Sequence, residues 1–239
     1  MNGNPIHRDP ETMAEGLGSR GFALGRNESS LRLIGREGIP LRERSDENLM
    51  LEHGQGSESA FAELVRRHQK GVLNYTFRMV QNRHIAEELT QEVFVALVKN
   101  AQRYEPVAKF TTYLYAIASN IVSKEWLRQK RRPRLFSLTS MWGGAKEAEE
   151  EVDLLDHAAD GRSDVAAAFE RQEISEAVNL ALRRLPEHQR EAFVLRRFQD
   201  LPYEEIADIT KSPVGTVKSR VVRAERALRP LLESFREYA

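Results

Sequence analysis

The sequence predicts an all-α protein with two helical domains joined by a flexible linker. From residue 45 onward, apolar residues recur at intervals of three, four and seven, which is the periodicity of amphipathic helices. No segment shows the apolar–polar alternation of a half-buried strand. Between 135 and 165 the helical periodicity stops, and paired glycines and an acidic run predict a linker between the domains.

Composition limits the classes of protein that are possible. The chain has 239 residues, 41% of them hydrophobic, which allows sizeable cores. It has no cysteine, which excludes disulfides, thiolate metal sites and a cysteine nucleophile. There is no apolar run of about 18 residues and no signal peptide, so a cytoplasmic protein is expected. The formal net charge is +0, so any binding of DNA must depend on local basic patches.

Residues 1–44 show no sustained periodicity and are expected to be a mostly disordered extension. Translation could start at Met1 or at Met13. The first domain is expected over 45–134. It should contain a short helix from Asp46 to His53, a long second helix, a third helix after the turn at Gln81, and a fourth helix. The residues predicted to face inward are Phe61, Leu64, Val65, Val72, Leu73, Phe77 and Val80, then Ile85, Ala86, Leu89, Val93, Phe94 and Leu97, then Leu114, Ile117, Ala118 and Ile121.

The fourth helix is expected to be capped by Thr111 or Thr112, to run to Arg132 and to end at Pro133. Its last part belongs to a basic patch, 124–134, with six cations and one acid. Such a patch suits contact with phosphates. Three aromatic residues of this helix are either core residues or platforms for nucleic-acid bases: Tyr113, Tyr115 and Trp126.

The second domain is expected over 166–239, with helices around Ile174–Leu185 and after Pro186. The stretch 201–229 has the layout of a helix-turn-helix, because a short helix opened by Pro202 is followed by a turn and a longer basic helix. Ser212 should cap that second helix, with Pro213 at its first position. Val214, Val217 and Val221 are expected to face inward. The outward residues are Thr216, Lys218, Ser219, Arg220 and Arg223, with Gly215 allowing close approach to a DNA backbone.

An amphipathic helical hairpin with a merely solvated basic face is the plain alternative to DNA binding. Enzymatic interpretations have less support: the six histidines form no HExxH pattern, and there is neither a phosphate-binding glycine loop nor a GxSxG motif. We therefore predict a protein that is not an enzyme, with no cofactor and no metal.

Three sequence blocks, in order, resemble the bacterial RNA polymerase sigma factors of the extracytoplasmic-function type, within the sigma-70 family. AEELTQEVFVAL (86–97) resembles region 2.2 of that family, and KFTTYLYAIASNIVSKEWLRQKRR (109–132) resembles regions 2.3 and 2.4. The block 185–228 resembles region 4. The resemblance implies a transcription initiation factor that binds core RNA polymerase and directs it to specific promoters.

The resemblance also assigns roles to residues. The acidic and amide face of the third helix should bind core polymerase: Glu87, Glu88, Gln91 and Glu92. The alternative is that these are solvated surface residues. The fourth helix should open the start-proximal promoter element, with the loop 102–109 shaping a pocket for a flipped base. The residues implied to contact that element are Asn120, Lys124, Arg128, Lys130, Arg131 and Arg132.

Region 4 should bind the upstream promoter element as duplex DNA. The residues implied are Gly215, Thr216, Lys218, Ser219, Arg220 and Arg223. The chain departs from the family at Lys218, where arginine is frequent, at Thr210-Lys211, where Leu-Gly is frequent, and at Ala116 and Ser119, where cations are frequent. The expected partners are core polymerase, promoter DNA and, as a hypothesis, an anti-sigma factor. The rival function is a helix-turn-helix response regulator, which would need a strand-rich receiver domain.

Overall fold

The computed structural model describes residues 40–131 and 165–233, and within these ranges the chain is all-α, as predicted. The first helical group contains α1 (Asp46–Gly54), α2 (Glu58–Val80), α3 (Arg83–Asn100) and α4 (Phe110–Arg131), and the second contains α5 (Val165–Arg183), α6 (Glu187–Arg197), α7 (Tyr203–Thr210) and α8 (Val214–Leu228). Short 3-10 helices cover Leu41–Glu43, Ala101–Arg103 and Arg229–Leu231. Within the described ranges, no helix has both the length and the apolar character needed to cross a membrane.

Several sequence predictions lie outside the described residues. These are the extension up to residue 39, nearly all of the predicted linker, Arg132 and Pro133. Residues 40–44 were predicted to belong to the disordered extension, yet a 3-10 helix forms at Leu41–Glu43. Arg67 of α2 explains it, because its guanidinium donates hydrogen bonds to the carbonyls of Leu41 and Arg44, at 2.9 and 2.8 Å.

Polar caps start the first three α-helices. Ser45 Oγ accepts from the backbone N–H of Asn48, and Ser57 Oγ accepts from that of Ala60. Asn82 Oδ1 accepts from the N–H of Ile85 at 3.0 Å. Each cap satisfies one of the amide donors that the first turn of a helix leaves unpaired.

The predicted cap of α4 is wrong. The helix begins at Phe110, before either threonine, and the Phe110 N–H donates to Glu47 Oε1 at 2.9 Å. A carboxylate from α1 thus occupies the position where a helix terminus favours negative charge. Thr112 lies inside the first turn, and its hydroxyl donates to Glu205 of α7 instead.

The α2 helix is buried on a wider surface than its predicted stripe. Leu64 and Val72 are fully buried, but so are Tyr75 and Met79, which lie outside that stripe. One face of α2 packs on α1, α3 and α4, whereas the other packs on α6 of the second group. The period of the apolar residues indicated only the first of these faces, because the second face is closed largely by polar side chains.

The helix-turn-helix forms as expected, with one shift. Val217 and Val221 of α8 are buried, while Val214 is only partly buried. Pro213, rather than Ser212, is the residue just before α8, and no side chain caps this helix. The hydroxyl of Ser212 instead donates to the carbonyl of Thr210 at 3.1 Å and so belongs to the turn.

The two helical groups are not separate bodies in this structure. Buried residues of both groups form one continuous core, and the described residues belong to one compact unit. The main contacts between the groups are those of α4 with α7 and of α2 with α6. The division into two domains that function separately stays a prediction.

Candidate polymerase and nucleic-acid interfaces

The residues predicted to bind core polymerase share one surface of α3. Glu88, Gln91 and Glu92 are exposed, and Glu87 is half exposed and accepts a hydrogen bond from Arg83 Nε at 2.8 Å. Positions separated by three and four residues lie on the same side of a helix, so these four side chains form a continuous polar face. A rigid face of this kind, with both carboxylates and an amide, can fix the register of a docking partner.

Two exposed valines continue this face toward the end of α3. Val95 is 50% exposed and Val98 is 46% exposed, and both follow Gln91 at helical spacing. Their spacing matches neither the core stripe nor the charged face of α3, so the sequence did not indicate a role for them. Apolar side chains beside a polar docking face can be buried against a partner, and their removal from water would stabilise the complex.

The predicted DNA-contacting residues on α4 differ in their pairing with carboxylates. Lys124 and Arg131 are exposed. Arg128 Nε lies 2.5 Å from Glu125 Oε2, and this hydrogen bond together with the nearby carboxylates of Glu88 and Glu92 raises the pKa of Arg128. Lys130 Nζ donates to Glu187 Oε2 of α6 at 2.6 Å.

Asn120 is half buried, and the 102–109 loop before α4 is anchored by aromatic packing. The ring of Tyr104 lies 5.1 Å from that of Tyr113 and 6.3 Å from that of Phe110. Tyr115 and Trp126 are buried, which favours a role in the core over stacking on bases. Val107, at the tip of the loop, is 77% exposed. The loop is therefore packed at its base and exposed to solvent at its tip.

The α8 helix presents the predicted upstream contacts on its outer side. Gly215, Lys218 and Arg223 are exposed, and nothing lies within 4 Å of a Cβ built on Gly215. Thr216 and Ser219 are partly exposed, and Ser219 Oγ donates to the carbonyl of Thr216 at 2.9 Å. This surface of hydroxyls and cations suits phosphates and base edges in a major groove.

Two cations on this helix are held in place by the helix-turn-helix itself. Arg220 Nη1 donates to Ser212 Oγ at 2.9 Å, and Lys218 Nζ lies 5.6 Å from the centre of the Tyr203 ring. Arg220 therefore stabilises the turn as well as facing the outer surface. Arg223 is the more accessible cation for DNA.

The turn before α8 contains a residue with unusual backbone geometry. Lys211 has φ 49° and ψ 43°, in the left-handed region that glycine adopts most easily. The Ser212 N–H reaches the carbonyl of Ala207 at 3.0 Å, and the Lys211 N–H reaches that of Asp208 at 3.4 Å. These bonds close α7 in the way that a glycine usually does, so the turn keeps its shape despite the Thr210-Lys211 sequence.

Sequence reasoning missed the polar contacts between the two helical groups. Glu191 and Tyr75 were not predicted to be functional, yet they are bonded to each other in the buried contact between α2 and α6. Glu205, Gln199 and Thr112 also bond across the groups. The sequence did contain one signal of this contact. Glu191 interrupts the apolar stripe through which α6 must pack.

Comparison with known families matches two parts of the chain. Residues 64–132 match the family described as Sigma-70 region 2, and residues 175–228 match Sigma-70, region 4. The RNA polymerase sigma-H factor of Pseudomonas aeruginosa is 33% identical over 196 residues, which cover 80% of this chain and 98% of that protein. The ECF RNA polymerase sigma factor SigW of Bacillus subtilis is 30% identical over 183 residues, covering 76% and 93% of the two chains.

Solved structures show the same fold at lower identity. CnrH, in complex with the cytosolic domain of CnrY, has a TM-score of 0.53 at 19% identity, covering 80% of this chain and 99% of that one. The sigma factor RpoE of Bartonella quintana, in complex with the anti-sigma factor NepR, has a TM-score of 0.52 at 22% identity, covering 72% and 96%. With both sigma regions matched in order and relatives covered over nearly their whole length, the chain belongs to the extracytoplasmic-function sigma factors of the sigma-70 family.

Proposed function

We propose that this sigma factor, which binds core RNA polymerase and directs initiation at promoters, divides that work between its two helical groups. The first group docks on polymerase through α3 and opens the start-proximal element with α4. The second group binds the upstream element as duplex through α8. The observation that carries the proposal is the presence of two separate exposed polar surfaces, one acidic on α3 and one basic on α8, in a chain that matches both sigma regions.

The charges of the two surfaces support this division. Glu88 and Glu92 would repel phosphates, so the α3 face suits a protein partner and not DNA. Lys218 and Arg223 would attract phosphates, and this electrostatic attraction weakens as the salt concentration rises. Since the whole chain has a formal net charge of +0, we expect the free protein to bind DNA weakly and polymerase to present its basic surfaces to the promoter.

Opening of the start-proximal element is assigned to Asn120 and Lys124, with phosphate contacts from Arg128, Lys130 and Arg131. Extruding a base costs a few kcal/mol, which contacts to the base must offset. Asn120 lies on α4 and is half buried, and its amide has the donor and acceptor groups that can hydrogen-bond a base edge. Arg128 and Lys130 would exchange Glu125 and Glu187 for phosphates on binding.

Asn120→Ala should therefore slow promoter opening while leaving formation of the closed complex unchanged. Permanganate footprinting follows opening directly, because it modifies unpaired thymines. The matched control is Gln129→Ala on the same helix, whose amide bonds to Glu125 instead. An unchanged opening rate in Asn120→Ala would contradict the role given to this residue.

The chain itself is proposed to catalyse no reaction and to act in the cytoplasm with polymerase. An anti-sigma factor is proposed as a further partner, and the solved complex of the sigma factor RpoE with NepR motivates it. Capture of a partner from the native host tests this, provided that the purified partner then blocks binding of the chain to core polymerase.

In vitro transcription tests the proposed function as a whole. Core polymerase plus this chain should start transcripts at a defined set of genomic promoters, and mapping their 5′ ends should show a shared upstream motif. Core polymerase alone is the control. A helix-turn-helix regulator would give no such transcripts without another sigma factor, so their absence would contradict the proposed function.

A further inference from the structure

The loop assigned to the extruded base, 102–109, enters α4 at a buried aromatic residue. Phe110 is the first residue of α4, and its ring lies 6.3 Å from the ring of Tyr104, near the start of the loop. Tyr104 in turn lies 5.1 Å from the ring of Tyr113 in the first turn of α4. Both ends of the loop are therefore packed on one aromatic cluster, made of Tyr104, Phe110 and Tyr113.

Glu47, in the first turn of α1, is bonded to this cluster through the backbone. Its Oε1 accepts a hydrogen bond from the Phe110 N–H at 2.9 Å. The first N–H groups of a helix have no partner within that helix. The bond from Phe110 to Glu47 therefore satisfies one of these groups and fixes the point at which the loop becomes helical.

A histidine of α2 connects the same turn of α1 to Phe110. His68 Nε2 lies 2.8 Å from Asp46 Oδ2, and the imidazole ring lies 5.2 Å from the ring of Phe110. The side chains of His68 and Asp46 are both mostly buried. The histidine is thus held by a carboxylate of α1 while its ring packs on the residue at which α4 begins.

Arg67, beside His68 on α2, fixes the first turn of α1. Its Nη1 donates to Asp46 Oδ1 at 2.7 Å and to the carbonyl of Arg44 at 2.8 Å, and its Nε donates to Glu63 Oε1 at 2.8 Å. Burial alone would raise the pKa of Asp46, but the hydrogen bonds and charges of His68 and Arg67 lower it below its usual 3.8. Asp46 is therefore ionised at neutral pH and accepts from both side chains.

The loop residue Tyr104 depends on these contacts for its position. Burial raises the pKa of its hydroxyl, and the charges of Glu47, Tyr113 and Asp46 raise it further, which shows that the carboxylates of α1 lie near the loop. The hydroxyl is buried and has no hydrogen-bond partner among the residues that the structure describes. Because an unpaired buried hydroxyl costs free energy, the ring contacts of Tyr104 must hold it in place, and its neighbour Phe110 is itself held by α1 and His68.

We propose that Glu47 and the His68–Asp46 pair are positioning residues for promoter opening, because they hold Phe110 and, through it, the loop 102–109 in the arrangement that receives the extruded base. The inference deepens the role proposed above for α4 and its loop, and it rests on that role. A preformed pocket avoids the cost of ordering the loop when the base enters. Without the bond from Glu47, that ordering cost adds to the cost of extruding the base, and opening becomes slower.

Two substitutions at Glu47 separate the hydrogen bond from the charge. Glu47→Ala removes the acceptor, whereas Glu47→Gln keeps an acceptor oxygen for the Phe110 N–H. With holoenzyme on a promoter located by 5′-end mapping, Glu47→Ala should slow the opening seen by permanganate by about fivefold, as expected for one lost hydrogen bond, and Glu47→Gln should stay within about twofold of the original rate. Formation of the closed complex and affinity for core polymerase should not change. The matched control is Glu58→Ala, which removes an exposed carboxylate from the first turn of α2.

A spin label reports the order of the loop without polymerase or DNA. Because the chain has no cysteine, Val107→Cys at the exposed tip of the loop can be labelled alone. Glu47→Ala should narrow the spectrum, since the label moves faster on a less ordered loop, and so should His68→Ala, which removes the contacts with Asp46 and Phe110. Glu47→Gln and Glu58→Ala should leave the spectrum as it is. Circular dichroism establishes that each variant is folded.

Three results would overturn the positioning role. These are an unchanged opening rate in both Glu47→Ala and His68→Ala, an unchanged label spectrum in both, and equal slowing of opening by Glu47→Ala and Glu47→Gln. A different result concerns the function on which the inference rests. If the label responds as expected but the unaltered chain opens no promoter with core polymerase, the role of α4 and its loop in opening is refuted, while the structural support of the loop by α1 stands.

Discussion

At the scale of single residues, Gly54 has a strict packing requirement. A Cβ built on Gly54 would lie 2.7 Å from the backbone oxygen of Ala101, which cannot move aside as a flexible side chain could. This contact fastens the end of α1 to the 3-10 helix after α3. Glycine is therefore required here by space, whereas Gly215 of α8 has open space around it.

We predict that Gly54→Ala destabilises the protein by about 1–3 kcal/mol, the usual cost of overpacking. Gly215→Ala is the matched control, and it should not destabilise the protein, because the added Cβ meets open space and alanine suits a helix better than glycine. Urea unfolding followed by circular dichroism measures both. A stable Gly54→Ala variant would show that α1 can shift away from Ala101.

Lys211 gives a prediction of the opposite sign. Its left-handed backbone costs an L-residue roughly 1–2 kcal/mol, which glycine avoids, although glycine loses more entropy on folding. We expect Lys211→Gly to stabilise the protein by about 0.5–1 kcal/mol, measured by thermal unfolding. Lys211→Ala is the control, since it removes the same charge but keeps the strain and should not stabilise. Equal stabilisation by both variants would identify charge, and not backbone geometry, as the cause.

At the scale of elements, Arg223 of α8 is the residue at which DNA binding can be tested without disturbing the helix-turn-helix. This side chain is exposed, whereas Arg220 bonds to Ser212 and also supports the turn. We predict that Arg223→Ala weakens binding of the holoenzyme to upstream promoter DNA by about 1–3 kcal/mol, as expected for one lost arginine contact. Association with core polymerase should be unchanged.

Gel-shift titration on promoter DNA, together with gel filtration against core polymerase, measures the two effects of Arg223→Ala. Arg184→Ala removes the same charge from an exposed position before α6 and should leave DNA affinity unchanged. An equal loss in both variants would indicate a general charge effect. Loss of polymerase association in Arg223→Ala would contradict the assignment of α8 to DNA binding.

Element by element, the sequence predicted most of this architecture for a physical reason. The helices of both groups have apolar stripes at helical period, and Pro213 marks the start of α8 to within one residue of the predicted position. The cap of α4 was mispredicted because Glu47 lies 63 residues away in sequence from Phe110. Local patterns carry no information about such a partner.

At the scale of the whole molecule, the same limit explains why the polar contact between the two helical groups was not predicted. Tyr75, Ser119 and Glu191 are separated by up to 116 residues, and their polarity indicates surface positions to any method based on periodicity. The exposed faces of α3 and α8 were found because their residues are consecutive on one helix. For the contact between distant helices, Glu191 in the apolar stripe of α6 indicated one buried polar group, but no periodic pattern indicated its partners on α2 and α4.

The buried carboxyl group of Glu191, between the two helical groups, should make the stability of the fold depend on pH. Burial raises the pKa of the Glu191 carboxyl above its usual value of 4.5, although the hydrogen bonds from Ser119 and Tyr75 and the charges of His188 and Arg220 oppose this shift. An acid whose pKa is raised on folding contributes stability below its unfolded pKa, and that contribution is lost as pH rises through the folded value. The contact between the two helical groups should therefore weaken as pH rises above about 4.5.

Glu191→Gln tests this pH dependence, because an amide keeps an acceptor oxygen for Ser119 and Tyr75 but cannot ionise. We predict that the variant is more stable than the original protein at neutral pH, and that this advantage shrinks toward pH 4.5, where the original carboxyl is protonated in the folded state. Urea unfolding across this pH range measures it, with the exposed Glu204→Gln as control. A variant less stable than the original at neutral pH would mean that Glu191 is ionised in the contact and holds the two groups together as a charge.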